Sequence, residues 1–155
     1  MLLFWCMLLL SASCSGSEEI PIDRAVQSST YSKIYSADRA FDNDLTTCAA
    51  TKLETRAWLR LYFKSSSNVG KVETEKGMSL DVSCTYSVSV YKGEVKTLCG
   101  TYTGKRNTYY NETVQCDGKR GDSVMLEMTG CTNQFQIYEI KVYSPGKCTA
   151  TIKWQ

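Results

Sequence analysis

Short runs in which apolar and polar residues alternate recur along most of this chain. They cover residues 58–63 (WLRLYF), 82–91, 95–102, 108–116, 123–128 and 135–143 (FQIYEIKVY). A period of two sets every second side chain on one face of an extended strand. Tyr, Val, Thr and Ser dominate the runs, as a half-buried pleated surface prefers. Turn chemistry separates them at Asn68-Val69-Gly70, Lys92-Gly93, Asp117-Gly118 and Thr129-Gly130. Helical periodicity is poor, and there is no repeat or low-complexity tract. Several short strands at regular spacing predict an all-β sandwich or barrel. Trp58 is expected to open a core strand.

The alternation slips once. In FQIYEIKVY the apolar positions are Phe135 and Ile137, then Ile140 and Val142, so the phase changes at Tyr138-Glu139. A one-residue slip turns all later side chains to the other face, which predicts a bulge there. Glu139 is the acid at that point. A second acidic feature is the polar turn DRAFDNDLTTC, with Asp42 and Asp44 either side of Asn43. Carboxylates, carbonyls and hydroxyls packed this closely can wrap calcium, which takes about six to eight oxygens. A solvated turn is the competing reading.

Composition narrows the class. A length of 155 residues suggests one domain, and a net charge of +2 selects no partner. Basic residues are spread along the chain, so no nucleic-acid surface is expected. The chain starts MLLFWCMLLL and continues with small residues, SASCSGS, then Glu18-Glu19. This reads as a signal peptide over residues 1–17, too short to span a bilayer, followed by a domain over 18–148 and a tail over 149–155. The mature protein is therefore expected to be secreted and extracellular, with no membrane span. Of eight cysteines, Cys6 and Cys14 fall in the leader. The remaining six, Cys48, Cys84, Cys99, Cys116, Cys131 and Cys148, are expected in disulfides, with connectivity open. A zinc site built from scattered cysteines is the weaker alternative. Asn111-Glu112-Thr113 is a glycosylation sequon. There is no histidine, which removes Ser-His chemistry. An Asp42–Glu139 acid–base pair is the one catalytic alternative, and it reads better as a metal cage.

The segments AVQSSTY, YSADRAFDND, TTC, AWLRLYF and IYEIKVY, taken in order, resemble the F-type lectins (fucolectins) within the discoidin-like galactose-binding domains. The resemblance runs from Ala25 to Tyr143. It implies an eight-stranded jelly-roll β-sandwich with ligand loops at one end, and a structural calcium beneath them. Carried over, the calcium ligands are the Arg39 carbonyl, the Asp42 carboxylate, the Asp44 carbonyl, Thr47, the Tyr138 carbonyl and the Glu139 carboxylate.

The family's fucose site does not carry over. Its histidine falls at Ala50, and its two arginines fall near Glu75 and Val82. Lys52, Arg56 and Lys76 are the substitute donors at that rim, with Tyr109 or Tyr110 as stacking surfaces. The family's last-strand cysteine is Tyr138 here. Cys131 is then the nearest mate for Cys48, Cys99–Cys116 resembles a family bridge, and Cys84 is left with Cys148. The implied function is a calcium-binding glycan-recognition module of undefined specificity. An extracellular protein-adhesion module on the same scaffold is the alternative. Homo-oligomers would supply avidity to a single site.

Overall fold

A computed structural model describes the backbone of residues 9–79, 84–103 and 108–153, and side chains over 16–75, 84–103 and 111–147. Ten strands follow in order: β1 (Leu9–Ser15), β2 (Ile22–Gln27), β3 (Ala49–Glu54), β4 (Ala57–Ser79), β5 (Thr85–Lys92), β6 (Val95–Thr103), β7 (Thr108–Thr129), β8 (Asn133–Ile137), β9 (Glu139–Tyr143) and β10 (Lys147–Lys153). Two 3-10 turns, Lys33–Tyr35 and Ala37–Ala40, lie between β2 and β3. β2 to β9 form one eight-stranded antiparallel system, and β1 pairs with β10 separately. The eight-stranded jelly roll expected from the sequence is what the chain forms. β1 lies in the segment read as a leader; residues 1–8 of that leader fall outside the described residues.

Two long strands build the sandwich. The first part of β4 pairs with β2 and with the end of β7, which continues to β5 and β6. The second part of β4 pairs with β9 and with the start of β7. β4 and β7 thus run through both layers, breaking register between Tyr62/Ser67, Val69/Lys71 and Thr74/Gly77. The turn residues at 68–70 and 117–118 therefore sit inside strands rather than between them. Asp117 (φ 52°) and Gly118 (φ 76°) adopt left-handed backbone there, which suits a bulge as well as a turn.

One core joins the layers. Leu59, Leu61, Val88, Val90, Val124 and Leu126 pack in the same cluster as Val69, Val72, Phe135, Ile137, Ile140 and Val142. Each such buried side chain contributes about 1.5–3 kcal/mol. Trp58 is not among them. Its phase is that of Arg60 and Tyr62, so it lies half-buried on the outward face while Leu59 and Leu61 turn inward. The expected core role of Trp58 is thus corrected by the alternation itself.

The cysteines differ from expectation. Cys99–Cys116 forms as the resemblance implied, tying β6 to β7. Cys131, however, pairs with Cys84, and Cys48 is a buried free thiol. Cys48 lies one residue before the Ala49–Ile137 ladder pair, so Tyr138 occupies the position where a partner thiol would stand. Neither Cys48–Cys131 nor Cys84–Cys148 exists. The backbone register sets Cys148 opposite Cys14.

Candidate functional site

The acidic turn is built by local chemistry. Gln27, from AVQSSTY, anchors the approach: its amide donates to Thr30 Oγ1, to the Tyr35 carbonyl and to the Ala50 carbonyl. The two 3-10 turns then carry the chain to Phe41, and Asn43 turns it with φ 60°. Asparagine is one of the few residues that tolerates this conformation. Asp42 closes the turn. Its Oδ1 accepts from the Asp44 amide (3.0 Å), and its Oδ2 accepts from the Thr47 hydroxyl (2.8 Å) and Arg39 (3.3 Å). Burial would raise the Asp42 pKa, but those donors together hold it below the usual range. Asp44 is bonded by the hydroxyl and amide of Thr46, which lower its pKa too. The Asp44 carbonyl accepts from the Thr47 amide (3.0 Å) and hydroxyl (3.2 Å).

The phase slip brings Glu139 to the same place. The run 135–143 is two strands rather than one: β8 pairs with β3, and β9 pairs with β4. The break falls at Tyr138. Phe135 and Ile137 are buried before it, Ile140 and Val142 after it, and Glu139 is buried as well, at 2% exposure. Its Oε2 accepts the Asn43 amide at 3.1 Å, a contact across 96 residues. Its pKa is pushed up to about 7. Burial is the chief cause; the Asn43 bond opposes it, and the Asp42 charge adds to it.

Glu139 therefore lies against the acidic turn through the Asn43 amide, near enough for the Asp42 charge to add to its raised pKa. The Asp42 and Glu139 carboxylates, the Asp44 carbonyl and the Thr47 hydroxyl are the oxygens on these elements that could hold a hard cation. Arg39 and Tyr138 line the adjoining cavity. Among the described residues no three His, Cys, Asp or Glu side chains cluster, so a cation here would rely on carbonyl and hydroxyl oxygen as well as the two carboxylates.

That cavity, about 320 Å³, opens beside the turn and is lined by Tyr35, Arg39, Thr47, Cys48, Gln136 and Tyr138, among others. Gln136 donates to the Cys48 sulfur at 3.3 Å, and burial pushes the thiol pKa up. The cavity combines ring faces with a guanidinium, hydroxyls and an amide. Lys52 and Arg56 do not line it. Lys52 is exposed on β3, and the Arg56 guanidinium is bonded to Glu127, which Lys96 also holds at 2.9 Å. The Lys76, Tyr109 and Tyr110 side chains and Val82 lie outside the described residues. Ala50 is 1% exposed, and Glu75 pairs with Lys141 at 3.4 Å. Asn111 is exposed on β7. The sequence signal for Tyr138 was the phase slip; Tyr35, Gln136 and the Asn43 amide gave none.

No family model and no curated protein matches the chain. Solved structures do. A fucolectin from striped bass (Morone saxatilis) serum aligns with 78% of this chain at TM-score 0.67 and 19% identity. The fold is that of the F-type lectins and family 32 carbohydrate-binding modules. This chain spans 45% of the striped bass lectin chain. A family 32 module from C. perfringens NanJ, solved in complex with galactose, shares the lectin-like fold at TM-score 0.67 and 19% identity, covering 78% of this chain and 93% of that one. The lectin domain of Lectinolysin, a His 62 mutant complexed with Lewis b, does so at TM-score 0.64 and 22% identity, covering 81% and 99%. No helix among the described residues is long and apolar enough to cross a membrane.

Proposed function

We propose that this chain is an extracellular carbohydrate-recognition module whose loop end is braced by calcium. The observation that carries the reading is the Asn43–Glu139 contact. It joins the acidic turn to the β8–β9 break beside a cavity with tyrosine rings and hydrogen-bonding groups, on a lectin-like fold. Calcium would be held by Asp42, Glu139, the Asp44 carbonyl and Thr47, with the Arg39 and Tyr138 carbonyls as further ligands. When bound, it would neutralise the paired acids and fix the loops. The chain's own residues would do the recognising: Tyr35 and Tyr138 offer apolar ring faces, and Arg39, Thr46 and Gln136 offer hydrogen bonds. Extracellular modules bind calcium at roughly 10⁻⁴–10⁻³ M, enough for occupancy outside cells. The two disulfides among the described residues favour an oxidising compartment.

Fucose recognition through a histidine and two arginines is not part of this reading, since alanine and glutamate stand at two of those positions. Catalysis is not part of it either. The Asp42–Glu139 pair serves the fold end rather than a reaction. The adhesion alternative keeps the scaffold and drops the sugar. A glycan array probed with the multimerised protein, with and without a chelator, separates the two. Calcium-dependent binding to a defined glycan, lost in Tyr138→Ala, supports recognition. Silence on every glycan, together with a captured extracellular protein, removes it.

A further inference from the structure

The outward face of the layer made by β2, β4, β7, β5 and β6 carries a separate arrangement, on strands that give no residue to the cavity beside the acidic turn. Directly opposed residues in an antiparallel ladder point to one side. Register sets Arg24 opposite Tyr62, Tyr62 opposite Ser123, Ser123 opposite Tyr91, and Tyr91 opposite Lys96. This row crosses all five strands, a span of roughly 19 Å at the usual strand spacing. The next row holds Val26, Arg60, half-buried Met125, Ser89 and Leu98.

The cations in these rows are held in place. The Arg24 guanidinium lies 3.8 Å from the Tyr62 ring centroid. Arg60 lies 4.2 Å from the Tyr91 centroid and 4.9 Å from that of Tyr62, and it donates to Ser123 Oγ and the Gly93 carbonyl. Stacked, pre-ordered guanidinium planes lose little entropy on meeting an anion, and they take carboxylate or sulfate oxygens in a fork. Acids are scarce here. Glu127 is buried between Arg56 and Lys96, and Asp122 is committed to the Gly93 amide and the Ser123 hydroxyl. Arg24 has no acidic partner among the described residues.

We infer that this face binds an acidic polysaccharide, with its uronate carboxylates or sulfate esters on Arg24 and Arg60 and sugar rings along the strip. Charge complementarity selects the occupant: Arg56 and Lys96 are taken up by Glu127, whereas Arg24 and Arg60 are stacked on rings with no salt-bridge partner among the described residues. The exposed apolar groups, Val26 at 39% and Leu98 at 53%, lie at opposite ends of their row, with Arg60, half-buried Met125 and Ser89 between them. A protein interface would need them contiguous. A flat row of spaced cations with isolated apolar contacts suits a chain of charged rings. The inference stands independently of the calcium site and of the loop-end cavity.

The test uses the intact protein on immobilised polygalacturonate, dextran sulfate and neutral dextran, the first two distinguishing carboxylate from sulfate. Retention on at least one charged polymer and none on dextran is expected, weakening several-fold between about 50 and 150 mM salt. Arg24→Gln alters an exposed side chain, and Leu98→Asp puts a repelling charge in the strip. Each should weaken binding by about fivefold or more at unchanged melting temperature, the scale of one charge-assisted contact. Arg120→Gln, Asp42→Asn and a chelator should leave it intact. A failed loop-end reading would show in the last two without touching this result. The inference is overturned by no retention on either charged polymer, by unchanged binding in both face variants, or by equal binding to polyglutamate or to vesicles of anionic lipid.

Discussion

Glu139 sits where an acid is costly: 2% exposed, within reach of the Asp42 charge, with one backbone amide to meet it. Its folded pKa of about 7 lies above the ordinary 4.5. The native metal-free protein therefore holds that proton more tightly than the unfolded chain. Its contribution is full below pH 4.5 and is lost as pH rises through about 7, roughly 3 kcal/mol across that window. Calcium should reverse the trend by favouring the carboxylate. Melting temperature followed from pH 4.5 to 8.5 should fall through the upper part of the range in EDTA and hold level in excess calcium. Glu139→Gln should flatten the EDTA curve and abolish the calcium shift. An EDTA curve that rises through pH 7 would refute the assignment.

At the scale of elements, the disulfides and the long strands divide what the sequence could say. Alternation located β4, β5 and β7 because each buries one face, and the slip at Tyr138 marked a change of strand partner; β6 was found by its alternation although its residues are only exposed or half-buried. What alternation could not convey was that β4 and β7 continue through polar stretches at 64–68 and 117–121. In the second, Asp117 and Gly118 adopt positive φ, which a bulge and a turn ask for alike. Pairing was equally hidden, because Cys48 and Cys131 are set by which loops the fold brings together. Peptide mapping without reduction should recover Cys84–Cys131 and Cys99–Cys116, with Cys48 alkylated only after denaturation. Their sequence separations, 47 and 17, make the first the stronger constraint. Removing it should cost about 4 kcal/mol, against about 3 for the second, read from urea midpoints. Gly121 tests the β5–β7 contact, since a Cβ there would overlap the Tyr91 carbonyl oxygen and the Val90 side chain. Gly121→Ala should lose about 1–3 kcal/mol by the same measurement.

For the whole molecule, the question is how much of the chain the sandwich requires. β1 pairs with β10 alone, whereas β2 to β9 are linked to one another through β4 and β7. The segment just after β1 belongs to the sandwich instead. The Glu18 carbonyl accepts from the Ser144 amide (2.8 Å), the Ile20 amide donates to the Val142 carbonyl (2.7 Å), and Ile20 is 6% exposed in the core. A cut after Ser17, as a leader would require, removes β1 and leaves this rail whole. A chain of residues 18–147 should therefore melt in one cooperative step and keep the calcium response, at nearly the temperature of the longer chain. Starting at residue 22 removes the Ile20 burial and three backbone bonds, the third from the Lys64 amide to the Pro21 carbonyl, worth about 3 kcal/mol together. At this size that should lower the melting temperature by roughly 6–12 °C. Equal loss in both truncations would mean that the β1–β10 strand pair, and not the rail at 18–20, secures this edge.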